Sequence, residues 1–264
     1  MNSAYLADLE LALEIADAVD ELTLSRFGAG DLVVDSKPDL TPVSDADRRA
    51  EQIVRQLLAE RRPDDSILGE EYGSQGASAR RWIVDPIDGT KNFVRGVPLW
   101  ASLIALADGD EVVVGVVSAP ALGMRWFAAA GGGAWKGQGL AGARRLRVSQ
   151  VGQVGDCSLG YSSLSAWKGR ERRDDFVALL EECWRTRGYG DFFPYMMVAE
   201  GAVDACVEPE LEVYDMAALA PIVVEAGGSF TNLSGLPGPF GGNALASNGL
   251  LHAELLSRLG TARA

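Results

Sequence analysis

Histidine is all but absent from this chain: one residue, His252, among 264. A Ser-His-Asp triad or a histidine general base would have to rest on it, in a stretch (NGLLHAELLSRLG) that reads as an ordinary helix. The expectation for His252 is a surface or helix-end position. Cysteine is scarce as well. Cys157, Cys183 and Cys206 are odd in number and contain no CxxC pair. That excludes a thiolate zinc site and a disulfide framework, and it points to a reducing compartment. Basic charge is in deficit: 24 Lys and Arg against 37 Asp and Glu leave a net charge of −13. The sign is wrong for a surface that tracks a nucleic-acid backbone, although a local metal would still let a small phosphate bind. No apolar run approaches the ~20 residues of a membrane span. The N-terminus, MNSAYLADLELALEIADAVDEL, carries acids and lacks the basic region of a signal peptide. These absences predict a cytoplasmic protein with neither nucleic-acid nor membrane partners.

What remains is an ordinary globular composition, 47% apolar and 23% charged, with length enough for a substantial core. Helical spacing of Leu6, Leu9, Leu13, Ala16, Leu24 and Phe27 predicts a helix over 4–27, capped by Ser3. Ser44 followed by Asp47 is a capping-box pattern and predicts a helix from 45 to 61, before Pro63. Residues 99–107 and 111–118 flank Asp108-Gly109-Asp110, a hairpin signal. After residue 150 strands and helices alternate, which predicts a more parallel α/β half (151–264) behind an antiparallel one (1–150), the two sharing an interface.

Acids stand at the ends of apolar elements in four places: Asp45 in PVSDAD, Glu70 and Glu71 in LGEEYG, Asp85 and Asp88 in VDPIDGT, and Asp215 in EVYDMAA. Asp45 could serve a helix first turn, Glu70 a solvated loop and Asp215 an N-cap. VDPIDGT resists such a reading. Pro86 keeps Asp85 extended, Ile87 offers a carbonyl, and Gly89 permits close backbone approach. A helix beginning there would aim the Gly89 and Thr90 amides at an anion. Two carboxylates, a carbonyl and a hydroxyl form an oxygen-rich site for a hard cation, Mg²⁺ or Mn²⁺ rather than zinc. Two like charges about 4 Å apart repel by about 4 kcal/mol at an effective dielectric of 20, so a cluster of carboxylates needs cations or protons. The D-x-D-x-T signature of haloacid-dehalogenase phosphatases does not fit, because its acids are two apart and these are three apart.

GEE, WIVDPIDGTKNF and YDMAALAPIVVEAGG, in this order and spacing, resemble the inositol monophosphatase family over nearly the whole chain. KPDLTPVSDADRRAE, GTKNFVRGVPLWASLIALADG and RGYGDFF are similar to its bacterial branch acting on histidinol phosphate. The resemblance implies an α/β fold layered α-β-α-β-α, two or three Mg²⁺ (Mn²⁺ as substitute), inhibition by Li⁺, a homodimer, and hydrolysis of a phosphate monoester by water. It further implies roles for particular residues. Glu70, Asp85, Asp88, Asp215 and the Ile87 carbonyl match metal ligands; Glu70 also matches the catalytic set. Asp45 and Thr90 match the pair that orients the attacking water, and Gly89 and Thr90 the phosphate-binding amides. Glu208 matches a substrate-facing acid. Asp191 sits where a carboxylate would suit a cationic substrate end; its plainer reading is a helix N-cap. Arg187 is a candidate brace for Asp191 or a substrate contact, and Lys37 lies near a family lysine. Tyr214 replaces the usual Trp, and Pro221 falls inside the expected helix 216–226, where an interior proline costs roughly 3 kcal/mol. An inositol phosphate or a broader range of sugar or nucleotide phosphates is the alternative substrate. A non-catalytic binding module is the alternative role.

Overall fold

The computed structural model describes residues 3–38 and 41–260, so Asp39 and Leu40 of the KPDLTP stretch lie outside the described residues. The first half contains α1 (Leu6–Arg26), β1 (Val34–Ser36), β2 (Pro42–Ser44), α2 (Asp45–Arg61), β3 (Ser66–Gly69), β4 (Gly73–Gln75) and β5 (Arg80–Asp88). Then follow α3 (Thr90–Val94), β6 (Ala101–Asp108), β7 (Glu111–Ala119), β8 (Met124–Ala129), β9 (Ala134–Lys136) and β10 (Arg144–Arg145). The second half contains β11 (Ser158–Tyr161), α4 (Arg173–Glu182), β12 (Arg185–Gly188), α5 (Phe193–Ala199) and β13 (Ala205–Glu208). It ends with α6 (Val213–Met216), α7 (Leu219–Glu225), β14 (Ser229–Thr231), β15 (Ala244–Ser247) and α8 (His252–Leu259).

Strands β3 to β10 form one eight-stranded sheet in the order β10-β9-β8-β7-β6-β5-β3-β4, antiparallel except for the β3–β5 pair. Strands β11 to β15 form a second sheet in the order β12-β11-β13-β15-β14. It is mixed: β11 runs parallel to β12 and β13, whereas β15 is antiparallel to β13 and β14.

The layering follows from side chains alternating across each strand. On β5, Trp82 and Val84 face the core under α1 and α2, while Ile83 between them faces the opposite core. On β13, Ala205 and Val207 pack with Phe176 and Leu179 of α4 and Leu255 of α8, while Cys206 faces inward with Ile83. Helices α5 and α7 fill the space between the sheets. The order is therefore α1/α2, large sheet, α5/α7, small sheet, α4/α8: five layers.

Local chemistry sets the element ends. At α2 the Ser44 hydroxyl accepts from the Ala46 amide, and Asp47 Oδ2 accepts from the Ser44 amide at 2.8 Å. Ser3 does not cap α1; its hydroxyl donates to the Ala130 carbonyl at 2.8 Å and ties the chain start to the large sheet. The expected helix 216–226 is two helices. Pro221 has no N–H for the Ala217 carbonyl, so the chain breaks after Met216 and restarts at Leu219. Pro221 then stands in the first turn of α7, where the amide has no intrahelical partner to lose. It packs against Gly115 of β7, where an added Cβ would lie 2.8 Å from the proline ring and 2.3 Å from the Ala218 carbonyl oxygen.

Candidate active site

β5 carries two acids at its C-terminal end, and its pairing with β6 slips there: Asp85 is opposite Leu103, Asp88 opposite Ala101. The irregularity turns this segment so that both carboxyls reach one cavity. The Asp85 carboxylate accepts from the Ile87 amide at 3.0 Å, and the Ser102 hydroxyl donates to the Pro86 carbonyl at 2.8 Å. Gly89 follows in the left-handed region, φ 87°. A side chain there would meet the Leu99 carbonyl oxygen at 3.0 Å and Asp191 Oδ2 at 3.3 Å, so the position has conformational and steric reasons to be glycine.

Asp215 arrives from α6, where its carboxylate accepts from the Glu212 amide at 2.8 Å. Asp85, Asp88 and Asp215 each place one oxygen within 4.8 Å of the others. The cavity they share, about 400 Å³, also exposes Glu70, Ile87, Gly89, Thr90, Asp191, Glu208 and Tyr214 to its interior. Glu70 lies at its edge, 2.7 Å from Lys37 Nζ, which is equally close to Glu71. The neighbouring Glu51 carboxylate, fully buried on α2, accepts from the Glu71 amide at 2.7 Å and holds that loop in place.

Among the described residues, six carboxylates line the cavity against two lysines, Lys37 and Lys91. Burial, and then the charges of Glu70 and Asp88, push the Asp85 carboxyl well above the ordinary aspartate range. Burial and then Asp191 do the same to Asp88. Burial raises Asp215 to about 7 and Glu208 to about 8. Glu208 Oε1 and the nearby Tyr195 hydroxyl are buried with no hydrogen-bond partner. A set of carboxylate oxygens repelling one another out of water is the donor chemistry that a hard divalent cation fits.

Two sequence assignments are corrected by the geometry. Asp45 does not meet Thr90. Its carboxylate faces away, accepting from Arg26 and from the Val33 amide, each at 3.2 Å. The Thr90 hydroxyl instead lies 3.2 Å from Asp47 Oδ1 and 3.0 Å from the Ile87 carbonyl. The reason is helical: Asp45 and Asp47 are about 200° apart around α2 at 3.6 residues per turn, and only the third helical residue, Asp47, folds back toward β5. The capping-box spacing was the signal that could have singled out Asp47. Arg187 is the second correction. It is exposed on β12, does not line the cavity, and donates to the Thr186 carbonyl at 2.7 Å.

Asp191 is in the cavity, at φ 52°, the one described non-glycine residue with positive φ. It is not a helix cap: α5 has no side-chain cap. Burial lifts its carboxyl to about 6, against the pull of Lys91. Asn92, which the sequence reading passed over, donates to Asp191 Oδ2 at 2.9 Å. His252 is at a helix end but not on the surface. Its ring is buried between the Thr231 and Ser247 hydroxyls, at 3.0 and 2.9 Å, and burial lowers its pKa.

Comparison with known proteins places this geometry. The chain is 59% identical to the histidinol-phosphatase of Streptomyces coelicolor over 259 residues, 97% of each chain. It is 57% identical to that of Mycobacterium tuberculosis over 253 residues, 96% of this chain and 97% of the relative. The solved inositol monophosphatase of Zymomonas mobilis superposes with a TM-score of 0.86 at 31% identity, covering 98% of this chain and 99% of that one. The model of the inositol monophosphatase family matches residues 7–262, and the chain belongs to that family.

Proposed function

We propose that this chain is a metal-dependent phosphatase that hydrolyses L-histidinol phosphate to L-histidinol and phosphate. The observation that carries the reaction is the convergence of Asp85, Asp88 and Asp215 on one cavity whose described lining sets six carboxylates against two lysines, Lys37 and Lys91. The substrate rests on the two relatives above 55% identity, both histidinol-phosphatases.

Asp85, Asp88, Asp215, Glu70 and the Ile87 carbonyl would hold Mg²⁺, two or three ions per site, with Mn²⁺ as a substitute. Bound there, the metal supplies a water of lowered pKa and offsets charge on the phosphate oxygens. The chain's own residues do the rest. The Thr90 hydroxyl, which lines the cavity, takes a proton from the attacking water as it passes its own to the buried Asp47 Oδ1. The Gly89 and Thr90 amides face the phosphate oxygens. The P–O ester bond breaks as the new P–O bond forms, and the leaving alkoxide takes a proton from solvent water. Asp191 and Glu208 meet the ammonium and imidazole end, which a neutral polyol lacks. We place the enzyme in the cytoplasm as a homodimer. No helix among the described residues is long and apolar enough to cross a membrane.

The test is phosphate release from histidinol phosphate and from inositol 1-phosphate, each with Mg²⁺ and with EDTA. Fast, EDTA-sensitive release from the first alone is the expected result. Equal rates on both would overturn the substrate, and release unaffected by EDTA would overturn the metal.

A further inference from the structure

Asp191 is held in its unusual backbone conformation by a neighbour from the other half of the chain. The Asn92 side chain has two amide hydrogens, and both are used: one on the Leu99 carbonyl at 2.8 Å, the other on Asp191 Oδ2 at 2.9 Å. Nothing in α3 packing demands an asparagine here; Phe93, not Asn92, is the helix's core residue. One residue on, the Phe192 amide donates to Asp88 Oδ2 at 2.7 Å. Two hydrogen bonds therefore lock the Gly190–Asp191–Phe192 turn onto the β5–α3 segment. They leave the segment that carries Asp88 and the segment that carries Asp191 in a fixed mutual position.

We infer that Asn92 is a positioning residue for substrate selection: it aims the Asp191 carboxylate at the cationic end of the substrate without itself touching the reacting atoms. The inference rests on the proposed role of Asp191 and adds the residue on which that role depends. A carboxylate freed from Asn92 would sample other rotamers, and its turn, at positive φ, would lose one of its two anchors. Binding of a monoester whose alcohol portion is cationic should suffer, while one with an uncharged alcohol portion, which makes no use of Asp191, should be indifferent.

The experiment compares KM and kcat for histidinol phosphate and for p-nitrophenyl phosphate, in Mg²⁺, for the wild-type chain, N92A, D191N and N92A/D191N. For N92A we expect KM for histidinol phosphate to rise about tenfold, the scale of one charge-assisted hydrogen bond, with kcat within about threefold and p-nitrophenyl phosphate kinetics unchanged. The double variant should discriminate no worse than D191N, because residues acting through one contact are not additive. N92S replaces N92A if thermal unfolding shows that the latter does not fold. Equal loss of kcat on both substrates would overturn the inference, since Asn92 would then be supporting the reaction segment. Unchanged kinetics on both would also overturn it. If D191N keeps full preference for histidinol phosphate, the role of Asp191 itself fails, an outcome separate from a failure of Asn92 alone.

Discussion

The two ends of β5 hold buried acids in opposite circumstances. At its start, Asp8 accepts from Arg62 at 3.0 Å and from Arg80 at 2.8 Å. Asp65 there accepts from Arg80 at 3.1 Å and from the Trp82 indole at 2.9 Å. Each of these two acids has a cation supplied by the chain. At the far end of this nine-residue strand, Asp85 and Asp88 face Asp215, Glu208 and Asp191; Lys37 pairs with Glu70 and Glu71, and Lys91 acts on Asp191. One end is electrically complete within the fold. The other is finished only by something from outside, and that deficit separates a site from a structural ion-pair cluster.

The sharpest way to break this contrast is at Asp215. D215N should lower kcat on histidinol phosphate by about a thousandfold, ~4 kcal/mol of barrier, yet leave the thermal midpoint in EDTA unchanged or raised, because it removes repulsion. A fall in that midpoint would mean the cluster is structural. Next, D47N should cost about a hundredfold in kcat, ~2.7 kcal/mol, while D45N stays within about twofold; the reverse order would restore the sequence-based assignment. Adding Mg²⁺ to metal-free protein at about a hundred times its Kd should stabilise it by about 2.7 kcal/mol, read as a shift in the urea midpoint that EDTA abolishes. The paired end predicts the converse. R80M should cost about 2 kcal/mol of stability, below the value for fully buried pairs because Arg80 is partly exposed, and leave kcat of the folded enzyme unaltered.

The smallest effect tests the same logic on a buried base. Burial lowers the pKa of His252 below the ordinary 6.5, so the unfolded chain takes up the proton first as pH falls. Its neutral form supports folding fully above about pH 7, and that contribution drains away as pH drops through 6.5. In urea melts between pH 7.5 and 5.5, H252Q should show a shallower loss of stability than the wild type. Equal slopes would show that the ring does not titrate as its burial requires.

The layered fold was legible because periodicity and caps agree. Helix α2 begins and ends where Ser44, Asp47 and Pro63 say it should, and the hairpin of β6 and β7 surrounds Asp108-Gly109-Asp110. Strands as short as β2, β4 and β9 carry no usable period in three residues. The break between α6 and α7 was half legible: Pro221 announced a disturbance, but only the helix restart at Leu219 shows why it is tolerated. At the site, local sequence marks which residues are acidic and near a turn. It does not give the azimuth of Asp45 against Asp47, nor the outward face of Arg187 on an edge strand. Contacts such as Asn92 to Asp191, 99 positions apart, have no local signature at all.

Gly115 carries a last consequence. It sits far from the acids in the chain, yet β7 has room there only for a hydrogen atom beneath the Ala218 carbonyl. A single methyl group there would force apart β7 and the Ala218 carbonyl, three residues beyond Asp215. The acid cluster thus depends on a glycine that touches none of its members.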